Sequence, residues 1–167
     1  MKLKTLTRTY LWEKAGFTGQ PPAINDGQIW TPVMIMPASG QADKSHLLRS
    51  LVGKVDGQKK RYVSAMLDTL FRAVCVEDFA AFFNNSIITY KKAHSFKHQR
   101  SNEILRELKH GKKDRIYLYP YSSAHGKFIF ILQYDHKDQM PTSDEVKSYA
   151  ESAIKDILAT TEFKLEK

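Results

Sequence analysis

The sequence contains one cysteine, Cys75, among its 167 residues. A single cysteine excludes an internal disulfide framework and a thiolate zinc site, and it favours a reducing cytoplasm as the location of the protein. Cys75 lies between Val74 and Val76 in an apolar segment, which predicts a buried structural thiol instead of a nucleophile. The chain also lacks long hydrophobic runs, since segments such as Phe128–Leu132 are far shorter than the roughly 20 residues needed to cross a bilayer. We therefore expect no membrane partner.

Several common catalytic motifs are missing as well. The sequence has no glycine-rich phosphate loop and no Gly-x-Ser-x-Gly elbow. His94 and His98 have the i, i+4 spacing that could place two metal ligands on one helix face, but no glutamate follows His94 and lysines surround the pair. These absences predict a protein without a metal site and without a cofactor.

Positive charge is abundant and unevenly distributed. The net charge is +8, and the segment 89–137 contributes +7 of it, with eleven Lys or Arg against four Asp or Glu. The same segment contains five of the six histidines. A basic region of this kind attracts polyanions, so it predicts a nucleic-acid partner, with RNA favoured. There are two alternatives to a nucleic-acid partner for this region: it binds an acidic protein, or it has no binding role.

The pattern of turn formers and apolar residues divides the chain into two parts. Residues 1–40 are rich in proline and glycine, which predicts an irregular N-terminal arm with short strands. Residues 41–167 are predicted to form a single α+β domain. Its elements are helices within 43–83, a basic segment with a short helix over 89–110, a β-hairpin over 114–134 and a helix over 142–158. The predicted fold class is therefore α+β, with a helical N-terminal and middle part packed on a small antiparallel sheet and a C-terminal helix.

The residues that remain suit metal-free cleavage of RNA. In that reaction the 2′-hydroxyl is the nucleophile, so the protein must remove a proton, neutralise phosphate oxygens and protonate the leaving oxygen. Histidine, lysine and tyrosine can transfer protons, while arginine and lysine stabilise the negative charge. The strand that begins at Arg115 places Tyr117, Tyr119 and Tyr121 on one face, where they could stack on bases or pack against a helix.

Two segments between Glu103 and about Leu158, KDRIYLY and YDHKDQMPTSDEV, together resemble the RelE/ParE/HigB superfamily of bacterial toxins. The segment KDRIYLY is similar to the superfamily's Tyr-Arg-Ile-x-Tyr strand, with Arg115 at the arginine position. The segment YDHKDQMPTSDEV resembles the Phe-x-Lys-Lys segment of HigB-like members, with His136 and Lys137 at the lysine positions and Pro141 opening the final helix. The resemblance implies a RelE-like fold and an mRNA endonuclease.

The same resemblance assigns roles to residues. Arg115 and Lys137 are expected to hold phosphate, and His136 or Tyr134 is expected to be the acid or base. The residues expected to contact nucleic acid, from this resemblance and from the basic tract, are Lys91, Lys92, Lys97, Arg100, Lys112, Lys113, Tyr117, Tyr119 and Lys127. The implied partners are mRNA, on or off the ribosome, and a protein antitoxin. A non-catalytic nucleic-acid-binding or phage- or plasmid-borne regulatory protein, and a toxin-like inhibitor of a protein target, are the alternative functions.

Overall fold

The computed structural model describes residues 1–138 and 141–167. In this part of the chain seven strands form one sheet, accompanied by four α-helices and two short 3-10 helices. The strands are β1 (Lys2–Thr5), β2 (Thr31–Ile35), β3 (Thr89–His98), β4 (Ser101–His110), β5 (Asp114–Ser123), β6 (Gly126–His136) and β7 (Lys164–Glu166). The helices are α1 (Arg8–Lys14), α2 (His46–Leu51), α3 (Lys59–Ala73) and α4 (Asp144–Ala159), with 3-10 helices at Ala42–Lys44 and Ala81–Asn85.

The sheet is mixed, with the strand order β3-β4-β5-β6-β2-β1-β7. Strands β3 to β6 form an antiparallel meander. Strand β2 then pairs parallel with β6 and antiparallel with β1, and β7 pairs parallel with β1. The N-terminal strands thus lie inside the sheet, although they come first in the sequence.

Both faces of the sheet are covered. One apolar cluster joins α1, α2 and α3 to the sheet, and a second cluster joins α4 to the opposite face. Strand β5 shows how the alternation of a strand supplies both clusters: Ile116 and Leu118 belong to the first, and Tyr117 and Tyr119 belong to the second. The molecule is therefore a three-layer arrangement with the sheet in the middle.

The predicted small antiparallel, RelE-like sheet under a helical bulk is wrong. The sheet has seven strands of mixed direction in the described residues, and residues from the predicted N-terminal arm form two of them. The short helix expected after Ser101 is also wrong, because 101–110 is strand β4. Leu105 packs on the α4 face and Leu108 on the α3 face. Their spacing of three, typical of a helix, arises here because the strand is buried on both sides.

Two other predicted elements are confirmed. The hairpin over 114–134 is observed as β5 and β6, and the C-terminal helix as α4. The helix cap is Ser143, whose hydroxyl accepts a hydrogen bond from the Val146 amide. The neighbouring Thr142 donates its hydroxyl to the Ala93 carbonyl oxygen, which ties the start of α4 to β3. Within residues 1–138 and 141–167, no helix combines the length and apolar character that crossing a membrane requires.

Candidate active site

A cleft of about 610 Å³ opens at the end of the sheet where β4 ends, β5 begins and β6 ends. The strand register aligns His110, Asp114 and His136 across these three strands. The wall opposite the sheet comes from the chain before α3 and from its first turn. The lining residues are Asp56, Gly57, Gln58, Lys59, Tyr62, Gly111, Lys112, Lys113, Asp114 and His136.

The carboxylate of Asp114 organises one side of the cleft. Asp114 is only 2% exposed, and its Oδ1 accepts hydrogen bonds from the Tyr134 hydroxyl at 2.7 Å and from Nδ1 of His136 at 2.9 Å. Because a carboxylate accepts, this contact places the imidazole proton on Nδ1 and leaves Nε2 as the nitrogen that can take a proton. The side chain of His136 is 32% exposed, so its ring contacts the buried Asp114 carboxylate on one side and is open to the cleft on the other.

Tyr134 has a different part in this cluster. The pKa of the Tyr134 hydroxyl is raised well above its ordinary value, first by burial and then by its hydrogen bond to Asp114. The hydroxyl therefore stays protonated at neutral pH and donates to the carboxylate. Of the two proton-transfer candidates in the sequence, this geometry favours His136, with Tyr134 as a positioning residue for Asp114.

The lysines of the cleft differ in their pairing. Lys59 lies 3.2 Å from Asp56, and the Lys113 ammonium lies 2.9 Å from Asp138. Lys112 is in no ion pair within the described residues. It follows Gly111 in the turn between β4 and β5, where its charge can meet an anion in the cleft.

An aromatic wall borders the lysines. The rings of Tyr62 and His110 meet edge to face with their centroids 4.9 Å apart, and the Arg61 guanidinium lies 5.2 Å from the Tyr62 ring centre. Burial lowers the pKa of His110 below its usual value, and repulsion from Arg61 lowers it further. His110 is thus uncharged at neutral pH, and the wall offers a mainly apolar surface against which a planar group can stack.

The turn at Gly111 depends on glycine. Gly111 has φ of +64°, and a Cβ there would meet the Tyr62 ring at 3.0 Å. We expect Gly111→Ala to lower the free energy of unfolding by more than the roughly 1–2 kcal/mol that a left-handed backbone alone costs an alanine. Gly57→Ala is the matched control, because Gly57 has φ of +51° and nothing lies within 4 Å of its Cβ position. Equal losses for the two variants in urea unfolding would contradict the role of the Tyr62 contact.

The structure separates the four residues predicted to be catalytic. Tyr134 and His136 meet at Asp114 in the cleft. Arg115 lies on the α4 face of the sheet, 4% exposed, with its Nε 3.9 Å from Oε2 of Glu107. The amide of Lys137 donates to the Lys113 carbonyl oxygen and so holds the end of β6 against the β4–β5 turn.

The residues predicted to contact nucleic acid are scattered. Lys112 and Lys113 line the cleft, whereas Lys91 and Lys92 line a separate cavity on the α4 face. Tyr117 and Tyr119 are buried beneath α4, 1% and 6% exposed, so their rings offer no open face to a base. Three exposed or partly exposed cations lie elsewhere: Lys97 on the outer strand β3, Arg100 in the turn after it, and Lys127, which is paired with Glu77 at the far end of the β5–β6 hairpin.

Asp114 and Tyr62 were not predicted from the sequence as site residues. Asp114 did carry a signal, because alternation places it on the same strand face as the apolar Ile116 and Leu118. A carboxylate on an apolar face needs a hydrogen-bonding partner, and two residues that provide one lie on β6. Tyr62 had no such signal, since its part in the cleft depends on how α3 packs against the β4–β5 turn.

Comparison with known proteins adds no relative. No protein-family model, curated protein or solved structure matches this chain. The function must therefore be argued from the geometry of the cleft.

Proposed function

We propose that the protein is a metal-free ribonuclease whose active site is the cleft at His136. The observation that carries this proposal is the hydrogen bond from His136 Nδ1 to the buried Asp114 carboxylate. It orients Nε2 as a base in the same cleft as Lys112, which has no ion pair among the described residues. A histidine oriented by a buried carboxylate is a recurring arrangement for proton transfer. The neighbouring Lys112 and Lys113 suit an anionic substrate.

The reaction follows from these positions. His136 Nε2 takes the proton of the ribose 2′-hydroxyl, and the 2′-oxygen attacks the adjacent phosphorus. The bond to the 5′-oxygen breaks, and that oxygen takes up a proton from Lys112 or from water. The products are a 2′,3′-cyclic phosphate and a 5′-hydroxyl. Asp114 stabilises the imidazolium that forms during the first step, and Lys112 and Lys113 offset the charge on the phosphate oxygens.

RNA is the substrate class that this set of residues fits. The nucleophile comes from RNA itself, so the cleft needs only a base, cations and a surface for the bases. Tyr62 and His110 form such a surface beside the lysines. DNA lacks the 2′-hydroxyl, and this chemistry would leave it intact.

The test compares two histidine variants on a mixed-sequence RNA. His136→Ala removes the proposed base, and we expect the initial cleavage rate to fall by about 10²–10⁴-fold with RNA binding kept. His125→Ala is the matched control, because His125 lies in the turn between β5 and β6, at the far end of the hairpin from the cleft. A natural chain that binds RNA and does not cleave it would identify a binding protein instead.

Three further statements depend on the sequence alone and stay predictions. They are membership of the RelE/ParE/HigB superfamily with its toxin activity, control by a protein antitoxin, and a cytoplasmic location. Growth arrest on induced expression, together with new RNA ends, would support the first. Arrest with intact RNA would indicate a protein target.

A further inference from the structure

A second polar cavity lies on the α4 face of the sheet, across the strands from the cleft. Its volume is about 270 Å³, and it lies between β3, β4, β5 and the start of α4. The hydrogen bond from Thr142 to the Ala93 carbonyl oxygen closes its wall between α4 and β3. The lining residues are Lys91, Lys92, Ala93, His94, Glu107, Arg115, Pro141, Thr142 and Lys147.

The cavity is strongly basic. Lys91, Lys92 and Lys147 face it together with the buried Arg115, while Glu107 is its one carboxylate among the described lining residues. His94 also lines it and is paired with Glu151 at 2.7 Å. The positive charge of the cavity also acts on the neighbouring Lys109. Its pKa is lowered by burial and by the charges of Lys91 and Arg115. An anion bound in the cavity would relieve this repulsion.

Glu107 is the unusual member of the lining. It is 3% exposed, and its Oε2 accepts no hydrogen bond from any described residue. The nearest cations to its carboxylate are Lys91 at 3.5 Å and Arg115 at 3.9 Å, distances that give attraction without a short hydrogen bond. A buried carboxylate oxygen without a donor is costly, so a ligand that brings a hydroxyl or amino group to it is favoured.

We propose that this cavity binds a nucleoside monophosphate, with the phosphate held by Lys91, Lys92 and Lys147 and a hydroxyl or amino group of the nucleoside donating to Glu107. The three lysines can form charge-assisted hydrogen bonds with the phosphate. The Glu107 carboxylate can accept a hydrogen bond from the ribose or the base next to that phosphate. The 5′-phosphorylated end of an RNA carries the same groups. The proposal does not depend on RNA cleavage, because the cavity and His136 lie on opposite faces of the sheet.

Calorimetric titration of the full chain at fixed ionic strength tests the proposal. The probes are adenosine 5′-monophosphate, inorganic phosphate, adenosine, and a short 2′-O-methyl RNA with and without a 5′-phosphate. We expect the nucleotide to bind more tightly than phosphate or adenosine alone. If the RNA with a 5′-phosphate binds more tightly than the same RNA without it, and more tightly than the nucleotide, an RNA end is the source of the group. If the 5′-phosphate adds no affinity to the RNA, the free nucleotide is the source.

Two exposed or partly exposed lysines provide variants that keep the fold. We expect Lys92→Ala and Lys147→Ala each to weaken nucleotide binding by about tenfold, the effect of losing one charge-assisted hydrogen bond. Lys97→Ala is the matched control, because Lys97 is exposed on the same strand as Lys92 and lies outside the lining of the cavity; it should leave the affinity unchanged. The proposal is overturned if the natural chain binds no nucleotide, if Lys92→Ala and Lys147→Ala leave the affinity unchanged, or if Lys97→Ala abolishes binding.

A third variant tests the part assigned to Glu107. Glu107→Gln removes the negative charge and weakens the acceptor, so nucleotide affinity should fall while the affinity for inorganic phosphate is unchanged or rises. An equal fall for both probes would show that Glu107 only supports the lysines. Should this variant fail to fold, the preference of the natural chain for the nucleotide over phosphate still decides the point, since a site for phosphate alone would show none.

Discussion

Replacing Asp114 by asparagine is expected to reduce RNA cleavage by about 10²–10⁴-fold while RNA binding is kept. The amide keeps the shape of the side chain but loses its charge, so it no longer stabilises the imidazolium of His136. It can also turn its NH₂ group toward Nδ1, which would favour the tautomer with the proton on Nε2 and so remove the base. Cleavage rates and RNA affinity, measured on the same folded preparation, check this expectation.

Asp135→Asn is the matched control for Asp114→Asn. Asp135 precedes His136 on β6, and the strand register pairs it with Arg115, which lies on the α4 face. The substitution removes the same charge without touching the contact between Asp114 and His136. We expect cleavage close to that of the natural chain. Equal losses for the two variants would show that net charge, and not the oriented histidine, determines the rate.

Replacing Arg115 by methionine is expected to lower the free energy of unfolding by about 3–5 kcal/mol. Arg115 and Glu107 are both buried, and the substitution leaves the Glu107 carboxylate without its buried cation. Arg115→Met combined with Glu107→Gln should recover part of the loss, because the uncompensated charge is then gone. Unfolding in urea, followed for both variants, measures these differences.

Lys92→Met provides the control for the arginine variant. It removes a positive charge from the same cavity, but Lys92 is exposed on β3. We expect a change within about 0.5 kcal/mol, as for most surface substitutions. If Arg115→Met lowered the free energy of unfolding no more than Lys92→Met does, a structural role for the buried pair of Arg115 and Glu107 would be contradicted. The comparison also matters for activity, because cleavage lost in an Arg115 variant could reflect unfolding.

The sequence was informative where residues close together in the chain carry the pattern of an element. The alternation in β5, the apolar run in β6 and the apolar face of α4 predicted those elements, because each pattern depends on nearby residues in the chain. Strand β4 was misread because Leu105 and Leu108, which lie on opposite faces of the strand, have the spacing of three that is typical of a helix. The short strands β1 and β2 enter the middle of the sheet through pairing with distant partners, which a local pattern does not reveal.

The candidate site also depends on contacts between residues that are distant in the chain. The resemblance assigned His136 and Tyr134 as proton-transfer candidates, but the carboxylate that joins them lies 20 or more positions earlier, across a strand pair. Arg115 was grouped with His136 because the resemblance to the toxin superfamily assigned both residues to one site. The structure assigns them to opposite sides of the sheet, because Arg115 follows Asp114 by one residue and alternation reverses its direction.

The most direct test of the ribonuclease proposal is the chemistry of the ends that the purified protein leaves on RNA. A mixed-sequence RNA, supplied free and on ribosomes, would be incubated with the natural chain beside the same RNA with 2′-O-methyl groups throughout. The account predicts 2′,3′-cyclic phosphate and 5′-hydroxyl ends from the unmodified RNA and no cleavage of the methylated one. Cleavage of the methylated RNA, ends bearing a 5′-phosphate, or intact RNA in both settings would contradict it.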